Sequence, residues 1–187
     1  MKNVLLFLLV AGLVFIGCSD GNLNNPATPN VSPSQQSQNL SKQKLTLSNL
    51  FSVSKLINGD IGGTLEINKT LFDGTGLIII SATVDFSQRS FGGIQNITAT
   101  VNTDDASISF TPALKFDKQV SLDFSIVGLN LLNRGITSDK KVDFAFIGDD
   151  NHIELIKNNG ITVNLLSGEL SVKNAHLYHF SRYAYIY

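Results

Sequence analysis

The alternation in Val120-Ser121-Leu122-Asp123-Phe124-Ser125-Ile126 constrains this chain more than any other feature. Strict apolar/polar exchange at period two fits a strand, whose side chains point alternately to its two faces, and does not fit a helix of period 3.6. The same period returns in Thr64-Leu65-Glu66-Ile67-Asn68, Asn96-Ile97-Thr98-Ala99-Thr100-Val101, Ser107-Ile108-Ser109-Phe110 and Ile161-Thr162-Val163-Asn164-Leu165. Leu77-Ile78-Ile79-Ile80 is a continuous apolar run and predicts a strand buried on both faces. Turn-forming pairs separate the runs: Asn58-Gly59, Gly62-Gly63, Asp73-Gly74, Gly92-Gly93, Gly148-Asp149, Asn159-Gly160 and Ser167-Gly168. About nine to eleven short strands, with turns every 8–12 residues or so, predict an all-β fold: a single antiparallel β-sandwich over residues 45–187. Val127–Asn133 is the one stretch with helical character, and it is too short for a persistent helix.

The amino-terminal end follows different rules. Lys2 precedes an unbroken run of apolar residues and glycine, Val4 to Ile16. That run has the form of a signal-peptide core and falls short of the roughly 20 residues a membrane-spanning helix needs. Phe15-Ile16-Gly17-Cys18 follows and resembles the lipobox of bacterial lipoprotein signals, with Phe15 where leucine is usual. The resemblance implies a diacylglyceryl group on the Cys18 thiol and cleavage after Gly17. Cys18 is the only cysteine, so no intrachain disulfide or cysteine metal cluster can form. Buried acyl chains contribute about 0.8 kcal/mol per methylene, so the several chains of such an anchor hold durably. In some bacteria Asp after the cysteine retains the protein in the inner membrane. Ser19 stands there, with Asp20 following, which favours the outer membrane.

Residues 18–44 read as the lipidated cysteine and a flexible tether, with Asn24, Asn25, Pro26, Pro29, Pro33 and a Ser/Gln-rich run. A coil of this length spans roughly 25–30 Å. Removing residues 1–17 takes away Lys2, the leader's only charge, and moves the formal net charge from −1 to −2. Without a basic run there is no electrostatic footprint for nucleic acid. Charged residues make up 16 %, below the usual quarter, which suits an extracytoplasmic β-protein. The expected location is the cell envelope, with the membrane as one partner and an unidentified protein or envelope component as another.

Sites for chemistry are sparse. His152, His176 and His179 form no metal-binding spacing, and His176 and His179 point to opposite faces of a regular strand. Asp149-Asp150-Asn151 lacks the spaced acidic pattern of a calcium loop and reads as a solvated hairpin turn, as does Asp104-Asp105. Gly59-x-x-Gly62-Gly63 lacks the lysine and helix of a phosphate loop and reads as a tight turn. Asn39, Asn68 and Asn96 start chance matches to the glycosylation acceptor pattern. No serine nucleophile elbow occurs, and no metal or cofactor is expected. Tryptophan is absent, which weakens a carbohydrate-binding reading.

Tyr178-His179-Phe180-Ser181-Arg182-Tyr183-Ala184-Tyr185 stands apart by its aromatic content. As a final strand, His-Phe-Ser-Arg-Tyr-Ala resembles the end of bacterial relatives of the ZU-five domain, a β-sandwich family. Leu56-Ile57-Asn58-Gly59 with Gly62-Gly63 resembles that family's opening strand and turn, and Phe110–Phe116 with Val120-Ser121-Leu122 its central segment, though Gln119 stands where proline is common. The likeness spans about residues 50–187. In some members His-Phe-Ser is a self-cleavage site. Carried onto this chain, the Ser181 hydroxyl would attack the Phe180 carbonyl, His179 would accept the proton, and water would hydrolyse the ester. A hydroxyl needs such an adjacent base to become nucleophilic. The competing reading makes Phe180, Tyr183 and Tyr185 core or rim aromatics of a last strand, with His179 and Ser181 hydrogen-bonding on its other face. We take that structural role as the expectation: no catalytic residue, a non-enzymatic display domain on a lipid anchor, and self-cleavage as the alternative.

Overall fold

The computed structural model describes residues 49–74, 76–150 and 152–187. The expected leader, the lipidation site Cys18, the tether, Leu45–Leu47 and Asn151 lie outside the described residues. Eleven strands form: β1 (Leu50–Asn58), β2 (Gly63–Phe72), β3 (Leu77–Phe86), β4 (Ile94–Asn102), β5 (Ser107–Thr111), β6 (Lys115–Val127), β7 (Asp143–Ile147), β8 (Ile153–Leu155), β9 (Gly160–Asn164), β10 (Glu169–His179) and β11 (Arg182–Ile186). They build two antiparallel sheets packed as a sandwich, in the orders β1-β4-β5-β11-β7-β8 and β2-β3-β6-β10-β9. Among the described residues no helix is long and apolar enough to cross a membrane.

The period-two residues supply the core. From β6, Val120, Leu122, Phe124 and Ile126 point inward and are buried; β4 adds Ile97, Ala99 and Val101. Across the core, the Tyr185 hydroxyl donates to the Phe124 carbonyl at 2.7 Å, and their rings stack at 5.7 Å. The continuous apolar run behaves otherwise than expected. In β3, Ile78 and Ile80 are buried, but Leu77 and Ile79 face outward and are exposed. The reason is that each sheet of a two-layer sandwich is covered on one face only, so even an all-apolar strand exposes every second residue. No helix forms over Val127–Asn133: β6 runs through Val127, and a single 3-10 turn follows at Leu132–Arg134.

β10 carries a parity change. Leu170 and Val172 point inward, and so do Ala175 and Leu177, although Val172 and Ala175 are three residues apart. A bulge at Lys173–Asn174 absorbs the extra residue, with Asn174 at φ 48°. Asp123 on β6 holds the bulge: its carboxylate accepts the Asn174 backbone N–H at 2.7 Å and meets the Lys173 ammonium at 2.9 Å. Its burial opposes ionisation, but the hydrogen bond and the ammonium prevail and hold the carboxyl below the usual aspartate range.

Candidate functional site

His179, Phe180 and Ser181 do not lie in one strand. β10 belongs to the five-stranded sheet and ends at His179; β11 belongs to the six-stranded sheet and begins at Arg182. The expectation of a continuous last strand is therefore corrected: Phe180 and Ser181 are the crossing between the layers. The neighbouring crossing, from β5 to β6, lies alongside and includes the cis Thr111–Pro112 bond. Backbone hydrogen bonds join the two crossings. The Phe180 N–H donates to the Leu114 carbonyl at 2.6 Å, and the Ser181 carbonyl accepts the Phe110 N–H at 3.0 Å.

Phe180 enters the core because a crossing chain can project one side chain between the sheets. Its buried ring stacks on Phe110 at 4.6 Å and meets the edges or faces of Phe116 at 4.7 Å and Phe86 at 5.8 Å. Tyr183 closes the corner, its hydroxyl donating to the His179 carbonyl four residues upstream. This matches the device by which tyrosines brace corners in other β-sandwiches. Burial pushes the hydroxyls of Tyr183 and Tyr185 far above the usual phenol range.

The imidazole of His179 packs edge-to-face on Phe146 at 4.6 Å and stacks against Tyr183 at 6.3 Å. Among the described residues its ring contacts are aromatic, where the sequence suggested hydrogen bonding on an outer face. No hydrogen bond among the described residues joins it to the Ser181 hydroxyl. A nucleophile and its base need hydrogen-bond reach, so the geometry is that of a packed, braced corner. His176 points elsewhere, its ring 3.4 Å from the Asn174 side-chain amide.

Asp104 and Asp105 are more engaged than a solvated turn implies. They tip the β4–β5 hairpin, where the Asp104 carboxylate accepts the Asn49 side-chain amide at 2.5 Å and Asp105 accepts the Ser107 hydroxyl at 2.6 Å. Arg134 reaches across from the 3-10 turn, and its guanidinium donates to the carbonyls of Thr103, at 2.7 Å, and Asp104. Arg182 lies 3.8 Å from Asp105. These charges rim a cleft of about 340 Å³ with apolar walls that include Ile136, Ala184 and Tyr185. It opens where β11 leaves β5, past the Ala184–Ser107 pair. The sequence held no sign of it, since Arg134 binds backbone carbonyls about 30 residues away. The charged groups that rim it are each engaged, Asp104 with the Asn49 amide, Asp105 with Ser107 and Arg182, and Arg134 with two carbonyls.

Asp149 and Asp150 occupy the β7–β8 turn, where Asp150 accepts the His152 N–H at 3.0 Å. Gly59 and Gly62 form the β1–β2 turn. Among the described residues no three His, Cys, Asp or Glu side chains converge as metal ligands would. Comparison with models of protein families, with characterised proteins and with solved structures finds no match to the chain.

Proposed function

We propose that this chain is a bacterial lipoprotein, anchored by lipid on Cys18 in the cell envelope, whose β-sandwich is a non-enzymatic binding or structural module. The observation that carries the reading is Phe15-Ile16-Gly17-Cys18, set after the apolar run Val4–Ile16 and holding the chain's sole cysteine. Ser19 favours the outer membrane. The resemblance of the terminal residues to ZU-five relatives supports a display module, since such a sandwich offers rigid loops on a pre-formed scaffold. Packing of the His179–Ser181 corner favours the structural reading over self-cleavage.

Metabolic labelling with a fatty acid, followed by mass analysis of the mature amino terminus, tests the anchor. The expected product begins at Cys18 with the mass of its acyl groups, and Cys18→Ala abolishes the label. A mature terminus elsewhere, or an unmodified Cys18, overturns the proposal. The same intact-mass measurement decides the alternative: the expected polypeptide ends at Tyr187. Loss of Ser181–Tyr187 under denaturing conditions, abolished by Ser181→Ala, would establish self-cleavage instead.

A further inference from the structure

Exposed apolar side chains crowd the end of the sandwich at which the described chain begins. Leu166 is fully exposed, and Leu77 and Leu132 are each 61 % exposed. All three rim one cleft of about 380 Å³. Leu77 opens β3, Leu132 opens the 3-10 turn, and Leu166 lies in the β9–β10 turn. The Asn164 side chain accepts the N–H groups of Leu166 and Ser167, at 3.0 and 3.2 Å, which sets the β9–β10 turn with Leu166 at its tip. The Gly128 and Leu129 N–H groups, each at 3.0 Å, donate to Ser167 and Gly168. Leu166 is therefore presented by an ordered turn.

Hydrogen bonds place Asn49 beside this group. The Asn49 carbonyl accepts the Thr103 N–H at 2.9 Å, the Thr103 carbonyl accepts Arg134, and Arg134 ends the 3-10 turn that carries Leu132. The first described residue, Asn49, thus lies at the leucine-rimmed end.

We propose that this end docks on the lipid surface that carries the anchor, with Leu77, Leu132 and Leu166 entering the headgroup–acyl boundary. The proposal rests on the lipoprotein reading above. Two features point to lipid. Leu166 sits at a turn tip, with Leu77 and Leu132 exposed at the starts of neighbouring elements, as shallow insertion needs, and a chain joining Asn49 to a lipidated Cys18 would hold this end near a bilayer at high effective concentration, so weak contacts suffice. Among the described residues nearby, Lys140 and Lys141 are flanked by Asp139 and Asp143, and Arg134 is bound to carbonyls. The expected surface is therefore zwitterionic lipid, engaged through apolar contact.

The chain supplies its own probes. It has no tryptophan, so Leu166→Trp introduces a single one, and its one thiol allows the unacylated chain from Cys18 onward to be coupled to a maleimide lipid in phosphatidylcholine vesicles. On coupling, the expected Leu166→Trp emission shifts to the blue and is quenched by brominated lipid, and adding Leu77→Ser and Leu132→Ser reduces both changes. Ile61→Trp, at the opposite end with comparable exposure, is expected to keep its aqueous emission. An unshifted, unquenched Leu166→Trp on coupled protein overturns the proposal, as does equal quenching of Ile61→Trp. A concentration-dependent shift without vesicles also overturns it, assigning the face to a second copy. Coupling needs no natural acylation, so failure of docking is distinct from failure of the lipoprotein reading.

Discussion

The two ends of the sandwich are closed by different means. At the end distant from Asn49, Phe86, Phe91, Phe110, Phe116 and Phe180 pack ring on ring beneath paired crossings of the chain. At the Asn49 end, loops are tied by backbone hydrogen bonds and by Arg134, while leucines remain outside. Backbone hydrogen bonds order the loops of both ends, and the five-phenylalanine cluster is what the first end adds. Both ends expose apolar residues, Ile61 and Ile94 at the aromatic end and Leu77, Leu132 and Leu166 at the Asn49 end, and the second set rims one cleft.

The largest expected effect tests that contrast directly. Phe180→Ala removes the ring shared by the aromatic group and should destabilise the domain by about 3–5 kcal/mol, since surrounding rings relax only partly into the cavity. Leu166→Ser removes a side chain that buries nothing and should change stability by less than about 0.5 kcal/mol. Denaturant unfolding of both variants measures the gap, and comparable losses would break the comparison.

Next in size is a change that asks whether the leucine-rimmed end is truly ordered. A Cβ on Gly168, which has φ 65°, would lie 2.1 Å from the Leu129 carbonyl oxygen. Gly168→Ala should therefore cost about 1–3 kcal/mol through crowding and backbone strain. Gly59 makes the matching case at the other end, where a Cβ would lie 2.2 Å from the Phe91 carbonyl oxygen. Similar losses in the two variants would show that both ends are rigid. A neutral Gly168→Ala would mean a loose Asn49 end.

Tyr183→Phe, a smaller change, deletes the brace on the His179 carbonyl and should cost about 1–1.5 kcal/mol. The two buried tyrosines also set an alkaline limit. Their folded values lie above the unfolded value near 10, so their contribution is intact below pH of about 10 and is lost as pH rises beyond it. Ultraviolet titration should find Tyr183 and Tyr185 un-ionised until the domain unfolds. Early ionisation of either would show that the corner admits water.

Much of this architecture was legible in the residues, for identifiable reasons. Period two in β2, β4, β5 and β6 fixes which side chains face inward, and Gly- and Asn-rich pairs fall at strand junctions because they tolerate turn conformations. What escaped depends on partners distant in sequence. Leu77–Ile80 gives no sign that its outer face goes uncovered. His179-Phe180-Ser181 looks like strand because aromatics favour strands, and only pairing with β5 and β7 reveals that β11 has changed sheets. Arg134 and the cleft beside it depend wholly on long-range contacts. The proposed leader and Cys18 anchor stand apart, since they lie outside the described residues and rest on local order and composition alone.

The smallest effect concerns the joint between the ends. The bulge at Lys173–Asn174 lets one strand present Leu170 and Val172 inward at the Asn49 end, and Ala175 and Leu177 inward towards the aromatic end. Asp123 holds that joint, but its carboxylate is nearly half in water, so screening keeps the contribution to about 1 kcal/mol or less. Asp123→Asn retains an oxygen for the Asn174 N–H and loses the attraction to Lys173, so it should cost less than Asp123→Ala. The carboxyl's folded value lies below the unfolded value of 3.8, so its contribution is complete above that pH and disappears as pH falls through the folded value. The stability difference between the native chain and Asp123→Asn should accordingly be flat near neutrality and shrink on acidification below about pH 4. A difference that persists in strong acid would show that Asp123 sets the bulge by shape, and that its charge contributes nothing to joining the two ends.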